Sequence, residues 1–398
     1  MDIAAVGAGI GGLAAAASLL QRGHRVRVYE QAPQLGEVGA GIQMSANAVK
    51  VLDHLGLRAR FEPSAVRPKA FEFRRYDTGE LLHRLPLGEQ HEQRHGAPYF
   101  QIHRSDLHGA LQDAVRNLGG SVVLGAKAER VEENADVAAV HFEGGAIAGA
   151  ELVVGADGIK SVVRQHVLGA DQPTFTGQVA WRCTVPTARI PRELRTDIVS
   201  TVWCGPKNHA VTYYLRSGEL LNFVGCVERP AEEESWIAKR PWTELDADYP
   251  GWHPMVRAVI EQVDRDQCFR WALNARVPST NWNTARVTLL GDAVHATLPY
   301  MAQGAAMAIE DAAVLARALE LPQSLQERLE IYARHRAPRT ARVIEESREM
   351  GELYHIDDAD RMRQAFHERN IAKSRNEWLY PYDPLRVALT RNNHEEIA

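Results

Sequence analysis

Three glycines, Gly7, Gly9 and Gly12, stand at the spacing G-x-G-x-x-G within "IAAVGAGIGGLAAAASLLQRGHRVRVYEQ". That spacing suits one task, the capture of a pyrophosphate by bare backbone. Gly7 permits a tight turn, Gly9 lets the main chain approach the phosphates, and Gly12 lets the following helix pack close to its strand. A helix that starts there offers unpaired N–H groups and a partial positive charge to an anion. An acid, Glu30, lies 18 residues beyond Gly12 at the end of the next strand pattern. It can accept hydrogen bonds from ribose hydroxyls and would repel a 2′-phosphate. The motif fits FAD and NAD equally, because both have an ADP half.

A second stretch, "TLLGDAVHATLPYMAQGAAMAIEDA" from Thr288 to Ala312, separates the two. It opens as a buried strand and closes as an Ala-rich helix, with a polar loop between. Asp292 follows the strand directly, where a carboxylate can accept from the hydroxyls of a ribitol chain. The helix beginning near Gln303-Gly304 aims its N-terminus into the same crevice. A reduced flavin gathers negative charge at its N1–C2=O edge, and a helix N-terminus stabilises such charge by about 0.3–2 kcal/mol. Gly304 and Ala305 have no bulk to block a ring. NAD needs neither feature, so the pair of motifs points to FAD. His295 is expected to pack and hydrogen-bond behind the loop.

A third set lies mid-chain. His209, Val211 and Tyr213 are two apart and so share one face of a strand. An imidazole titrates near working pH. His209 is therefore the candidate base and Tyr213 the group that orients a ring beside it. Gln303 sits next to the predicted flavin loop.

The elements that must hold these residues read as follows. Residues 3–6 form a short apolar strand, residues 11–22 a helix stopped by Gly23, and Val26 and Val28 alternate with Arg in a second strand. "FEFRRYDTGELLHRLPL" reads as a hairpin turning at Asp77-Thr78-Gly79, and "HAVTYYLRSGELLNFVGCV" as another around Ser217-Gly218. "HRSDLHGALQDAVRNLG" is helical, and "ELVVGADGIKSVVRQHV" is strand, turn and helix. The fold class is α/β with an α+β insertion. A discontinuous Rossmann-like FAD-binding domain is expected over 1–70, 100–172 and 276–325. A mostly antiparallel substrate sheet is expected over 71–99 and 173–275, with C-terminal helices over 326–398. The helix "YARHRAPRTARVIEESREMGELYH" reads as charged and solvated, packing on the flavin domain, and is also a candidate homodimer contact.

Composition agrees with a globular chain that has a substantial core and more than one domain. The 398 residues are 45% apolar and carry a net charge of −5. There is no basic block of the kind nucleic acid requires, and pairs such as Arg74-Arg75 read as solvated surface. The four Cys form no C-x-x-C pair, which removes a metal site and a dithiol centre. As single core thiols they suit a reducing cytoplasm. No apolar run reaches the roughly 18 residues of a membrane span, and no basic n-region precedes the strand pattern at Asp2-Ile3.

With the Gly motif, "GADG" and "LLGD" in this order, nearly the whole chain resembles the class A flavoprotein aromatic hydroxylases. The resemblance implies an NAD(P)H-dependent monooxygenase that forms a flavin C4a-hydroperoxide with O₂ and delivers its distal oxygen to a ring. It implies that Asp157 and Gly158 of "VVGADGIKSVVR" lie where flavin and the transient nicotinamide donor meet, with Arg164 completing the motif. It implies that Arg104 of "IHRSDLHGAL" contacts the cofactor, and that Gln303 touches substrate. "GAGIQMSANAVKVLDHLG" and "PYMAQGAAMAIEDA" look most like 3-hydroxybenzoate 6-hydroxylases, salicylate hydroxylases and 6-hydroxynicotinate 3-monooxygenases. The hydroxynicotinate enzymes carry a His where this chain has Gln43. The expected cofactor contacts are Gly7, Gly9, Gly11, Gly12, Glu30, Gln31, Gly41 and Gln43, then Arg104, Asp157, Asp292, Gly304 and Ala305. The expected catalytic set is His209, Tyr213 and Gln303. No metal is expected. The substrate would be a small hydroxylated aromatic or heteroaromatic acid. A ring is a better nucleophile as a phenolate, so the protein should supply a base at the substrate hydroxyl in a dry pocket. A urate-type hydroxylase or oxidase, and a non-catalytic flavin-binding protein, are the alternatives.

Overall fold

The computed structural model describes residues 1–36, 40–230 and 239–390. Five parallel strands lie side by side in the order Val287–Leu289, Leu152–Gly155, Asp2–Val6, Arg25–Tyr29 and Ser121–Val123. Asp2–Val6, Leu152–Gly155 and Val287–Leu289 are short runs buried almost throughout, as a sheet covered on both faces requires. The strand at Asp2–Val6 feeds the helix Ile10–Gln21, and the strand at Val287–Leu289 leads through a loop to the helix Gly304–Ala318. Both helices therefore begin at the carboxyl edge of the sheet, the edge where ligands bind in doubly wound folds.

These two helices pack side by side through small residues. A Cβ added to Gly11 would come within 2.9 Å of Leu290 Cδ1 and 3.0 Å of Ala308 Cβ. The helix Arg104–Asn117 packs beside the first of them. A three-stranded antiparallel sheet, Ala128–Glu133, Ala138–Phe142 and Ile147–Ala150, is added beside the parallel one.

The second unit is a seven-stranded sheet. Its order is Phe269–Ala275, Thr174–Pro186, Leu220–Glu228, Asn208–Leu215, Ser200–Gly205, Ala70–Arg75 and Leu81–Pro86. All its pairings are antiparallel except Ser200–Gly205 with Ala70–Arg75. One face buries Trp181, Trp203, Tyr214 and Phe223 under the helices Trp242–Ala247 and Pro254–Glu261. The other buries Phe73, Val202, Cys204, Cys226 and Trp271 against the loop around Tyr300 and the long helix Leu325–Tyr354. A two-stranded pair, Gly41–Met44 with Phe100–His103, joins the two units. All four cysteines are buried and unpaired. No described helix is long and apolar enough to cross a membrane.

Two readings of charge need correction. The Arg-rich helix Leu325–Tyr354 is not solvated on both sides, because Arg336 and Arg339 are 0% and 7% exposed. Arg336 bonds Glu310 and Asp311 at 2.7 Å each, and Arg339 meets Glu310 at 2.8 Å. Two acids buried in the preceding helix demand counter-charges, and Arg at i and i+3 supplies them on one face. Arg75 is likewise buried, held by Asp77 at 2.7 Å, while Arg74 pairs with Glu72.

Candidate active site

The Gly loop is pinned before it can bind anything. Ala8 donates its N–H to Glu30 Oε2 at 2.8 Å, and its carbonyl accepts from His108 Nε2 at 2.7 Å. Glu30 also takes the Ala32 N–H on its other oxygen, at 2.9 Å. A carboxylate has about four acceptor positions, so Glu30 keeps capacity for a ribose while it shapes the loop. Gly7 adopts φ +102°, and a Cβ there would sit 2.3 Å from the Ala156 carbonyl oxygen. A Cβ on Gly12 would strike the Gly7 carbonyl oxygen. A Cβ on Gly9 would meet nothing within 4 Å. Gly9 thus faces the crevice, while Gly7 and Gly12 are needed for packing. Gln31 is exposed beside Glu30.

The loop after the last parallel strand has its own scaffold. Gly291, at φ +60°, donates its N–H to Asp311 Oδ2 at 3.0 Å, and His295 donates to the same oxygen at 2.5 Å. His295 is thus buried behind the loop. The Asp311 carboxyl is pushed up by burial, but His295, Arg336 and the Gly291 N–H outweigh this and hold it down at about 2. Arg164 ties the outer end, reaching the carbonyls of Ala293 and Val294 at 3.3 and 3.4 Å while paired with Asp171 at 2.8 Å. Asp292 itself is exposed, and no described residue hydrogen-bonds its carboxylate. Gly304 and Ala305 are half-buried at the start of the late helix, and a Cβ on Gly304 would meet only Thr297, at 3.7 Å. An unbonded carboxylate, a cradle of small residues and two converging helix N-termini fit a dinucleotide that also carries a ribitol and a flat ring.

Asp157 is used differently. Its carboxylate accepts from Ser161 Oγ at 2.5 Å and from the Val162 and Val163 N–H groups at 2.7 and 3.1 Å. Burial raises its pKa and these donors oppose the rise. It caps the helix Val162–Leu168 and sets the course of the Gly158 turn. Arg276 holds that turn from outside through the Ile159 carbonyl at 3.1 Å.

The substrate side is the sheet face carrying His209, Val211 and Tyr213. Directly opposite them on the next strand lie Cys226, Val224 and Asn222. Val224 in turn faces Arg182. Val211, Val224 and Arg182 are only half-buried although they lie mid-sheet, which marks a hollow above them. Tyr213 seats its ring on Gly41 of the flavin-side strand, and a Cβ at Gly41 would lie 2.4 Å from the ring. The Gly41 N–H is bonded to Asn222 Oδ1 at 2.8 Å. Burial pushes the Tyr213 phenol up, and the charges of Arg182 and Arg104 oppose this only in part. Arg182 also lies over the Trp271 ring, 4.3 Å from its centroid. His209 is 1% exposed and packs edge-on to Tyr300 and Tyr354.

The other expected residues stand close by in different roles. Gln43 is buried, its carbonyl accepting from Tyr99 at 2.9 Å and Ser200 at 3.1 Å. Arg104 begins the helix Arg104–Asn117, and its N–H reaches the Ala40 carbonyl at 2.8 Å. Gln303 is 1% exposed; its amide donates to Ser45 at 3.0 Å and accepts from Asn47 at 3.0 Å. Both ends of its amide are thus engaged within the protein, and it ties the late helix to the helix Ala46–His54. Sequence reasoning missed His108 and Arg182. The alternation Ala180, Arg182, Thr184 was available, but which face it lined was not.

A family model described as an FAD binding domain matches residues 1–347. The chain is 39% identical to a 3-amino-4-hydroxybenzoate 2-monooxygenase of Streptomyces cremeus, over 95% of this chain and 94% of that one. It is 37% identical to a 3-hydroxybenzoate 6-hydroxylase of Polaromonas naphthalenivorans, over 96% of each. Among solved structures it is similar to Klebsiella pneumoniae HpxO complexed with FAD and uric acid, with TM-score 0.83, 28% identity and 94% of each chain covered. A salicylate hydroxylase substrate complex gives TM-score 0.80 at 25% identity over 96% of each chain.

Proposed function

The chain belongs to the FAD binding domain family and is a class A flavoprotein hydroxylase; from that premise we propose that it hydroxylates a small aromatic or heteroaromatic acid bearing a ring hydroxyl. The relatives' names, hydroxybenzoate and aminohydroxybenzoate enzymes, support this class. FAD, when bound and reduced by NADH or NADPH, would activate O₂ so that one oxygen atom enters the ring and the other leaves as water. Gly9 and Glu30 would hold its ADP half, with Gly7 shaping the turn, Asp292 would hold its ribitol, and Gly304 and Ala305 would leave room for its ring. Arg104 would approach it from the linking strand pair.

The protein's own contribution is to bind, orient and deprotonate. The single observation that carries the reading is one half-exposed sheet face bearing a buried imidazole, a phenol and a guanidinium next to the flavin-side strand. His209 takes the proton of the ring hydroxyl, so that the ring reacts as its anion. Tyr213, fixed on Gly41, orients that hydroxyl. Arg182 receives the carboxylate; a guanidinium seated over an indole is held in place for bidentate recognition. Gln303 and Gln43 act by positioning, through the buried bonds described above. The apolar surroundings keep water from the reacting ring. Four buried free thiols support a reducing, cytoplasmic setting.

The test is a screen of NADH and NADPH oxidation with hydroxybenzoates, salicylate, hydroxynicotinates and urate, with products identified by mass spectrometry. Hydroxylated acid in near-stoichiometric yield is expected. Stimulation by urate alone, or peroxide without hydroxylated ring, would overturn the assignment.

A further inference from the structure

His209 does not stand alone. Its Nδ1 lies 2.8 Å from His355 Nε2, and His355 Nδ1 lies 3.0 Å from Glu228 Oε1. His355 follows the last turn of the long helix, and Glu228 ends its strand at the sheet's rim. Side-chain exposure rises along the series: His355 is 7% exposed and Glu228 44%. The row starts at the buried sheet face and ends in water.

Resting on the reading of His209 as the site's base, we propose that His209, His355 and Glu228 form a relay that carries the substrate's hydroxyl proton to solvent. The outer carboxylate sets the direction. Ionised Glu228 can only accept, so neutral His355 must carry its proton on Nδ1 and present a lone pair at Nε2. His209 must then donate from Nδ1, which leaves its Nε2 as the acceptor. No described residue hydrogen-bonds that Nε2. One fixed acceptor at the surface thus selects the basic tautomer at the buried end.

The transfer balances as three proton exchanges with no change of oxidation state. The substrate O–H bond breaks as His209 Nε2–H forms. His209 Nδ1–H breaks as His355 Nε2–H forms, and His355 Nδ1–H breaks as Glu228 Oε1–H forms. Glu228 then releases the proton to water. The same path run backwards returns a proton when the product must be neutralised.

A relay is needed because His209 is a poor final resting place for charge. Burial and the neighbouring His355 push its pKa well below the usual imidazole value. The Tyr249 phenol, itself pushed up by burial, bonds the His209 carbonyl at 3.4 Å, and the titratable groups packed around the ring are the thiols of Cys204 and Cys226 and the phenols of Tyr300 and Tyr354. Burial pushes all four up. None is a ready acceptor for the proton, and among the described residues the path through His355 leads out.

The test compares wild type, Glu228→Gln and His355→Phe as FAD-loaded enzymes, using the hydroxylated acid that the screen identifies. Glu228→Gln alters a half-exposed rim residue and should fold; it can still accept from His355 but cannot carry a proton away at neutral pH. FAD absorbance and substrate Kd should stay near wild type. Formation of bound phenolate, followed by ultraviolet difference spectra in stopped flow, should slow by ~10-fold or more in both variants. The loss should disappear once the pH exceeds the phenol's own pKa, because the substrate then arrives ionised. A merely structural defect would persist at high pH. Wild-type rates in both variants, or a deficit that high pH leaves unchanged, would overturn the relay. Wild-type enzyme inert to every hydroxylated acid would instead remove the substrate assignment, and the relay with it.

Discussion

Gly41→Ala adds one methyl group and should disable the site without touching the cofactor. The new Cβ would stand 2.4 Å from Tyr213 Cε2 and 2.5 Å from its hydroxyl oxygen. Ordinary carbon contacts begin near 3.5 Å, so the ring must retreat by about 1 Å. It cannot do so by a small swing, because Tyr213 is 4% exposed and set in a strand bonded on both sides. A displacement of that size in an orienting group can cost about 10²-fold, or about 2.7 kcal/mol of barrier. The assay is single-turnover hydroxylation with the FAD content measured in the same sample. FAD occupancy should remain, kcat should fall about 100-fold, and peroxide released per NADH should rise. A double-mutant cycle identifies the route: in a Tyr213→Ala background, Gly41→Ala should cost less than about 3-fold, because no ring remains to be displaced. Full activity in Gly41→Ala, or an equal loss in the two backgrounds, would refute Tyr213 as the orienting residue.

Asp292→Ala should weaken FAD binding by about 10- to 100-fold, the scale of a hydrogen bond to a charged group; fluorescence titration of apoprotein checks it, and unchanged affinity removes the ribitol assignment. Arg182→Met should raise KM for a carboxylated substrate by about 10-fold or more while leaving the KM of its decarboxylated analogue little changed, which steady-state kinetics on the pair will show. Asp311→Asn should cost about 3–5 kcal/mol of stability, since it leaves buried Arg336 with only Glu310 for balance. The same carboxyl predicts a pH dependence. Its folded pKa of about 2 lies below the unfolded value near 3.9, so its stabilising contribution is complete above about pH 4 and is lost as pH falls through 2. Thermal melts between pH 2 and 6 should fall less steeply for Asp311→Asn than for wild type; parallel curves would contradict the assignment.

What could be read without coordinates was local. The Gly loop, its helix and Glu30 lie within 24 consecutive residues, so turn chemistry and periodicity suffice. The loop at Asp292 and the late helix are legible for the same reason. What could not be read depends on partners far along the chain. Gly41 meets a ring 172 residues later, and Arg182 gains its setting only when Val224 and Trp271 arrive beside it. Alternation shows that Arg182 and Cys183 point oppositely but not which one meets the hollow. Arg336 reads as solvated because composition cannot reveal that Glu310 and Asp311 face it. Asp157 reads as a ligand-facing acid, yet its carboxylate caps its own helix. Short polar side chains beside a turn serve such local bonds readily.

The buried ion cluster belongs to the chemistry as well as to stability. Asp311 holds the Gly291 N–H and His295 on one oxygen and Arg336 on the other. Gly291 immediately precedes Asp292, so the carboxylate offered to the cofactor is aimed by a bond that Arg336 helps to keep ionised. Glu310, the residue before it on the helix, does the same, accepting from Asn47, whose amide also donates to Gln303 at the helix start. The long C-terminal helix thus reaches the crevice at two points through buried charge, and at a third through His355. Loosening that helix should therefore release FAD before it unfolds the sheet that carries His209. An Arg336→Met protein should lose flavin fluorescence quenching at a lower temperature than it loses its far-ultraviolet dichroism, whereas wild type should lose both together.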